Sequence, residues 1–113
     1  MADHIENLTH FMKTHQDLGK SCPKVMQAFG GLHVAAIKDG ALSTKHKELI
    51  SVAISVVVKC HVCIDVHVKG ALTAGATKEE ISEAIGVAIL MGGGPATVYG
   101  ALAIEAMNQF TEK

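Results

Sequence analysis

The chain has 113 residues, a length that suits one domain with a single core. Apolar residues make up 49% and charged residues 19%, and the net charge is -1 without a run of lysines or arginines. Nucleic acid is not expected as a partner, because clustered positive charge is needed to bind a phosphate backbone. The apolar share exceeds what a small monomer buries, so we expect a homo-oligomer that hides apolar surface between subunits.

Secretion and membrane insertion are both disfavoured by the sequence. Asp3, His4 and Glu6 stand where a signal peptide would have its apolar segment. Residues 84–104 are uncharged and long enough to span a membrane, but glycines and a proline at 92–95 interrupt them. Three cysteines, one of them isolated, do not form a secreted disulfide framework. We therefore expect a cytoplasmic protein with no membrane segment.

Helical periodicity dominates the chain, beginning with its first forty residues. The first predicted helix has apolar side chains at three- and four-residue spacing over residues 5–12, and a loop follows at 19–23. Pro23, favoured at a first helical position, opens a second helix that runs to about residue 38. Asp39-Gly40 provides its C-terminal stop.

The third predicted helix starts at Ser43-Thr44, although residues 49–58 are rich in β-branched side chains that favour a strand. The polar residues favour a helix over a strand, because they recur at every third or fourth position and not at every second. These residues are Glu48, Ser51, Ser55 and Lys59.

The next two helices have clear boundaries. The fourth opens at the cysteine pair that begins with Cys60, and it ends before Gly75. Thr77 and Glu80 have the spacing of a capping box, which starts a fifth helix that continues through Met91.

The last predicted helix follows a glycine-rich turn at residues 92–94, begins at Pro95 and runs to about residue 110. The sequence therefore predicts a single all-α domain over residues 1–113, a bundle of about six helices. The methionines after the first residue are expected to fill its core. They are Met12, Met26, Met91 and Met107.

The strongest functional signal is a pair of cysteines three residues apart, followed by a histidine. In a helix, Cys60, Cys63 and His67 share one face, so protons can pass between sulfur and imidazole. A helix N-terminus and a nearby imidazole both favour the reactive thiolate. The pattern predicts a dithiol redox centre: one sulfur attacks a peroxide oxygen, and the other resolves the sulfenic acid as a disulfide. A thiol or a protein disulfide reductant would restore the dithiol.

Glu48 is a further candidate for the same site, as the only carboxylate in its helix. It would orient or deprotonate His67, as the third group of a triad does for its base. Along one straight helix, Glu48 would lie about 18 Å from Cys60. The chain must therefore turn near Lys59, or a neighbouring subunit must supply the glutamate. The alternative is an exposed glutamate that complements the helix dipole.

Zinc binding is the main alternative for the cysteine pair, since Cys60, Cys63 and His67 are ligand types that zinc accepts. A structural site needs a fourth ligand, and no Cys or His follows His67 in the sequence. The candidates for that ligand are Glu48, His61, His46, His33 and Cys22. Because a second ligand pair is absent, we expect no bound metal, and we expect no organic cofactor.

The remaining polar residues are expected outside the chemistry. His61 and Asp65, four residues apart, are expected to face solvent. His33 and His46 have no partner at helical spacing and are expected at the surface or in packing contacts. Cys22 is expected to be an incidental thiol in a loop.

Together these motifs resemble the alkylhydroperoxidase D/carboxymuconolactone decarboxylase family. The matching features are Glu48, Cys60-x-x-Cys63-x-x-x-His67, the segment Gly70-Ala71-Leu72-x-x-Gly75-Ala76-Thr77-x-x-Glu80-Ile81 and the turn at 92–95. The resemblance extends over residues 45–110 and is weaker before them. It implies an all-helical bundle that assembles into homo-oligomers, often trimers or hexamers.

The resemblance also implies roles for individual residues. In the family's peroxidase branch the second cysteine attacks, which makes Cys63 the nucleophile and Cys60 the resolving thiol. His67 would be the base, with Glu48 behind it in a proton relay. That branch often has a histidine immediately before the second cysteine, where this chain has Val62.

The sequence thus predicts a thiol-dependent peroxidase or disulfide oxidoreductase that acts on small hydroperoxides. Decarboxylation of a lactone acid is an alternative, disfavoured because the decarboxylase branch generally lacks the cysteine pair. A redox- or metal-responsive binding protein that uses the same dithiol is the alternative outside enzymes.

Overall fold

The computed structural model describes residues 2–112, in which all regular secondary structure is helical. The helices, in chain order, are α1 (His4–Ser21), α2 (Pro23–Ile37), α3 (Thr44–Val57), α4 (His61–Thr73), α5 (Lys78–Gly92) and α6 (Gly94–Thr111). The predicted all-α bundle is confirmed. The β-branched segment in α3 is helical, as the spacing of its polar residues predicted.

The core lies where α3, α4, α5 and α6 pack against one another. Its buried side chains are aliphatic, and several are alanines that let the helices approach closely. Burying each valine or isoleucine contributes about 1.5–3 kcal/mol relative to leaving it exposed. The fully buried valines and isoleucines are Val52, Val56, Ile64, Val68 and Ile81.

A capping box starts α5, as predicted. The Thr77 hydroxyl accepts a hydrogen bond from the Glu80 amide, and the Glu80 carboxylate accepts one from the Thr77 amide. The Lys45 ammonium donates to the same carboxylate at 2.9 Å, which ties α3 to α5. The hydrogen bond from the Thr77 amide, together with Lys45, holds the pKa of Glu80 below its ordinary value.

The uncharged stretch at 84–104 forms parts of two helices, α5 and α6, that meet at Gly93. The φ of Gly93 is 69°, in the region that favours glycine. A Cβ on Gly92 would lie 2.9 Å from the Ala96 Cβ, so the two helix ends approach closely. Within residues 2–112, no helix has both the length and the apolarity to cross a membrane.

The first turn of α1 is attached to the bundle through a buried histidine. The His4 ring forms hydrogen bonds with Asp65 of α4 and, at 2.8 Å, with Glu105 of α6. The His4 backbone amide donates to the Gln109 side chain at 2.7 Å. The sequence predicted only apolar contacts for this helix and missed this polar attachment.

Helix α2 buries none of its residues, although it is rich in apolar side chains. Phe29 and Leu32 are 51% and 62% exposed. The prediction that the methionines fill the core is wrong for Met12 and Met91, which are 58% and 76% exposed, whereas Met107 is buried. Much of the apolar surplus therefore lies on the surface of the chain.

Candidate redox site

A tight turn between α3 and α4 brings the predicted site residues together. Helix α3 ends at Val57, and Lys59 adopts a φ of 61°, which is uncommon for a residue other than glycine. The chain reverses there, so α4 packs along α3. Of the two routes that the sequence left open for Glu48, the structure contains the turn near Lys59.

Cys60 and Cys63 are joined by a disulfide, with Cα atoms 5.2 Å apart. Cys60 is the N-cap of α4, and its sulfur accepts a hydrogen bond from the Cys63 amide at 3.3 Å. The unpaired amides of a helix N-terminus favour negative charge, so this position stabilises a thiolate once the disulfide is reduced. Both cysteines are half-buried, which leaves them accessible to small reactants.

Glu48 hydrogen-bonds to His67 within the same chain, and 2.7 Å separates Glu48 Oε1 from His67 Nδ1. The two side chains are 11% and 21% exposed, so the contact is largely shielded from water. Glu48 is buried, and the alternative of an exposed glutamate at a helix start is therefore wrong. Because the carboxylate accepts the Nδ1 proton, Nε2 is the nitrogen of a neutral His67 that can accept a further proton.

Gly70 makes room for the Glu48 carboxylate. A Cβ at this position would overlap Glu48 Oε2 and would lie 2.7 Å from Glu48 Cδ. Carbon atoms in contact are normally about 3.5–4.0 Å apart, so a side chain at residue 70 would displace the carboxylate. The sequence motif includes Gly70 but does not predict this role for it. The available signal was its position three residues after His67, on the same helix face.

His33 of α2 lies beside the site. Its ring is nearly parallel to that of His67, with 6.4 Å between the centroids and 27° between the planes. His33 is exposed on its other sides, so it is both a surface and a packing residue, as predicted. His46 bonds to Ser43 at the start of α3, and Cys22 is an exposed free thiol between α1 and α2.

In the disulfide form, neither Cys60 nor Cys63 offers a thiolate to the zinc site considered for them and His67. In the described part of the chain, the residues that could together hold an ion are His4, His61 and Asp65. The prediction that His61 and Asp65 face solvent is wrong: Asp65 is 1% exposed because His4 covers it, and His61 is half-buried against the His4 ring.

Cys63 and His67 lie one turn apart on α4, where side chains four residues apart are neighbours. The helix therefore carries a two-electron redox couple and, one turn beyond Cys63, an imidazole whose Nδ1 is held by a carboxylate. Such an arrangement can transfer protons to and from sulfur while the disulfide opens and closes.

Known proteins of similar sequence match most of the chain. The model of the carboxymuconolactone decarboxylase family matches residues 23–106. A protein of Cupriavidus necator, uncharacterised by name, is 39% identical over 104 residues, which are 89% of this chain and 92% of that protein.

Solved structures share the fold over nearly the whole chain. A carboxymuconolactone decarboxylase family protein of Legionella pneumophila, in its apo form, matches with a TM-score of 0.91 and 39% identity over 98% of this chain and 100% of that one. A family protein of Thermotoga maritima, named as having a suggested part in an antioxidative response, matches with a TM-score of 0.79 and 27% identity over 88% of each chain. The resemblance drawn from the motifs is thus confirmed, and the chain belongs to the carboxymuconolactone decarboxylase family.

Proposed function

We propose that this protein is a thiol-dependent peroxidase, or more broadly a disulfide oxidoreductase, that reduces small hydroperoxides through Cys60 and Cys63. The observation that carries the proposal is the hydrogen bond between Glu48 and His67, one turn beyond Cys63 on the helix that the disulfide begins. The Thermotoga relative, named for an antioxidative response, supports the same class of chemistry.

The proposed cycle starts from the dithiol. His67 accepts the Cys63 thiol proton, directly or through a water, and Glu48 stabilises the imidazolium that forms. The Cys63 thiolate attacks one peroxide oxygen: a sulfur–oxygen bond forms, the oxygen–oxygen bond breaks, and the departing alkoxide takes the proton from His67 as an alcohol.

The second half of the cycle forms the disulfide. The Cys60 sulfur attacks the sulfenic acid of Cys63, a sulfur–sulfur bond forms, and the hydroxyl group leaves as water with the remaining thiol proton. A thiol or a protein disulfide reductant then supplies two electrons and two protons by thiol–disulfide exchange. Such reductants are maintained in the cytoplasm, which is where we expect the protein to work.

Cys63 is the proposed nucleophile because His67 lies one helical turn from it and two turns from Cys60. Cys60, at the N-cap, is suited to resolve, since the helix N-terminus stabilises its thiolate when the disulfide is later reduced. Lactone decarboxylation is not proposed, because it would leave the cysteine pair without a role.

We further expect the working form to be a homo-oligomer, a trimer or a hexamer. The exposed apolar side chains of α2 form one surface, and an apolar cleft between α3 and α5 forms another. Exposed apolar area of this extent is typical of surfaces that pack against a partner. The residues that line the cleft are Ala53, Ile54, Val57, Val87, Ala88 and Met91.

The test is a single turnover of the reduced protein with one equivalent of an organic hydroperoxide. We expect loss of the Cys60 and Cys63 thiols and release of one equivalent of alcohol. Cys63→Ser should abolish consumption, whereas Cys60→Ser should consume one equivalent and leave a sulfenic acid that dimedone traps at Cys63. Cys22→Ser is the matched control and should react like the parent. Turnover that survives in Cys63→Ser would overturn the assignment.

A further inference from the structure

A second polar cluster lies between the first turn of α1, the first turns of α4 and the C-terminal half of α6. His4 is fully buried and Asp65 is 1% exposed, while the Glu105 side chain is 29% exposed. The His4 ring bonds to a carboxylate through each of its nitrogens. This cluster contains none of the residues of the proposed redox cycle.

His61 completes the cluster from the start of α4. Its ring meets the His4 ring edge-on, with centroids 5.6 Å apart and planes at 78°. His61 Nε2 is fully buried and has no hydrogen-bond partner among the described residues. An unsatisfied buried polar atom costs about 1–3 kcal/mol, so this nitrogen needs a ligand.

We propose that His4, His61 and Asp65 bind one divalent cation, with zinc as the best match. Each residue offers one ligand atom, and these atoms all lie within 4.8 Å of one another. Two imidazoles and a carboxylate are ligands that zinc takes at about 2.0–2.2 Å, so the three side chains would close around the ion by small rotations.

Charge balance favours an ion at this place. The carboxylates of Asp65 and Glu105 meet the two nitrogens of the His4 ring, and a divalent cation complements two such groups. The ion would take the place of the hydrogen-bonding proton between His4 Nδ1 and Asp65. His4 Nε2 then keeps its hydrogen bond to Glu105, an arrangement of carboxylate, histidine and metal that is common behind zinc ligands.

The site also has an entry path. A cleft of about 270 Å³ opens onto it between α1 and α4, and His61 and Asp65 form part of its wall. Three protein ligands leave a fourth zinc position open, which would face this cleft. The other lining residues are Asn7, His10, Phe11, Thr14 and Val62.

Zinc titration tests the proposal independently of peroxidase activity. We would add Zn²⁺ to chelator-treated protein that carries Cys22→Ser and has the Cys60–Cys63 disulfide intact, so that no thiol competes. Calorimetry should show one equivalent bound, and the thermal midpoint should rise with zinc because only the folded chain holds the site. The absence of saturable binding would overturn the proposal.

The zinc affinity of single variants tests whether the ion binds at this cluster. His61→Ala removes one ligand and keeps the hydrogen bonds of His4, so circular dichroism should show a folded protein with zinc affinity lowered by at least about tenfold. His46→Ala, which removes an exposed histidine outside the cluster, is the matched control and should bind like the parent. A change smaller than tenfold in His61→Ala would overturn the proposal.

Cobalt provides a second measurement. Co²⁺ bound to the oxidised protein should show the visible absorption of a nitrogen and oxygen site, without the intense near-ultraviolet band of sulfur ligation. A sulfur band, or a spectrum unchanged in His61→Ala, would overturn the proposal.

Discussion

Gly70 and Glu48 are matched across two helices: the missing side chain of Gly70 leaves the space that the Glu48 carboxylate occupies when it bonds to His67. We predict that Gly70→Ala displaces the carboxylate and lowers kcat/KM for a hydroperoxide by about tenfold or more, because proton transfer by a positioned base contributes about 10²–10⁴-fold. Steady-state kinetics of the variant and the wild type, at the same excess of reductant, would measure this change in kcat/KM.

Gly86→Ala is the control for this change. Gly86 lies within α5, and a Cβ there would meet no atom within 4 Å. Helix propensity predicts a gain of up to about 1 kcal/mol in stability and unchanged turnover. Equal activity in Gly70→Ala and Gly86→Ala would show that the carboxylate position does not matter.

Glu48→Gln tests the charge of the relay. The amide oxygen can still accept the Nδ1 proton of His67, but it does not stabilise an imidazolium, so single-turnover oxidation of Cys63 should slow by about 10²-fold. Because Gly70 acts through Glu48, the double variant should be no slower than Glu48→Gln alone. If stopped-flow measurements show that the rate loss of the double variant equals the product of the two single losses, Gly70 and Glu48 act independently and the prediction is contradicted.

His4→Ala should destabilise the fold by about 3–5 kcal/mol, because it leaves the buried Asp65 carboxylate without its partner. Urea unfolding followed by circular dichroism measures the change. His10→Ala, which removes an exposed histidine of the same helix, should stay within about 0.5 kcal/mol of the parent. Similar losses in the two variants would show that the His4 contacts contribute little.

The Glu80 capping box predicts a pH dependence of stability. The pKa of Glu80 is lowered in the folded state, so folding gains stability from this group above the pKa of the unfolded chain, about 4.3. That gain is lost as the pH falls through the lower folded value. Glu80→Gln should therefore melt below the parent at pH 7, and the difference should shrink towards pH 3.

The exposed apolar side chains of α5 predict that Leu90→Lys weakens the assembly of subunits. Leu90 is 79% exposed beside the cleft residue Met91, so a charge there should prevent subunits from packing and shift light-scattering masses from the oligomer towards the monomer. Lys78→Glu, an exposed change at the start of the same helix, should keep the assembly. A parent protein that is already monomeric would contradict the expectation.

Local sequence patterns were enough to predict the helices and most of the candidate redox site. The members of a capping box or of a pair on one helix face are only three or four residues apart. The Thr77–Glu80 and Cys63–His67 pairs could therefore be predicted from the sequence. Glu48 required one further inference, a turn near Lys59. The turn depends on a positive φ that no sequence rule assigns to lysine.

The contacts that sequence did not predict join distant parts of the chain. His4 meets Asp65 and Glu105 across 61 and 101 positions, and periodicity carries no information at that range. The exposed methionines show a second limit of prediction from sequence periodicity. Apolar spacing marks a face that avoids water, but it does not distinguish the core of one chain from contact with a partner.

The attachment of α1 to α6 has a consequence for the order of folding. The His4 amide and the Gln109 side chain are 105 positions apart, so α1 can make this contact only after α6 has been synthesised. Until then α1 can contact only helices made before α6, such as α2 and α4, so its attachment to α6 is a late step of folding.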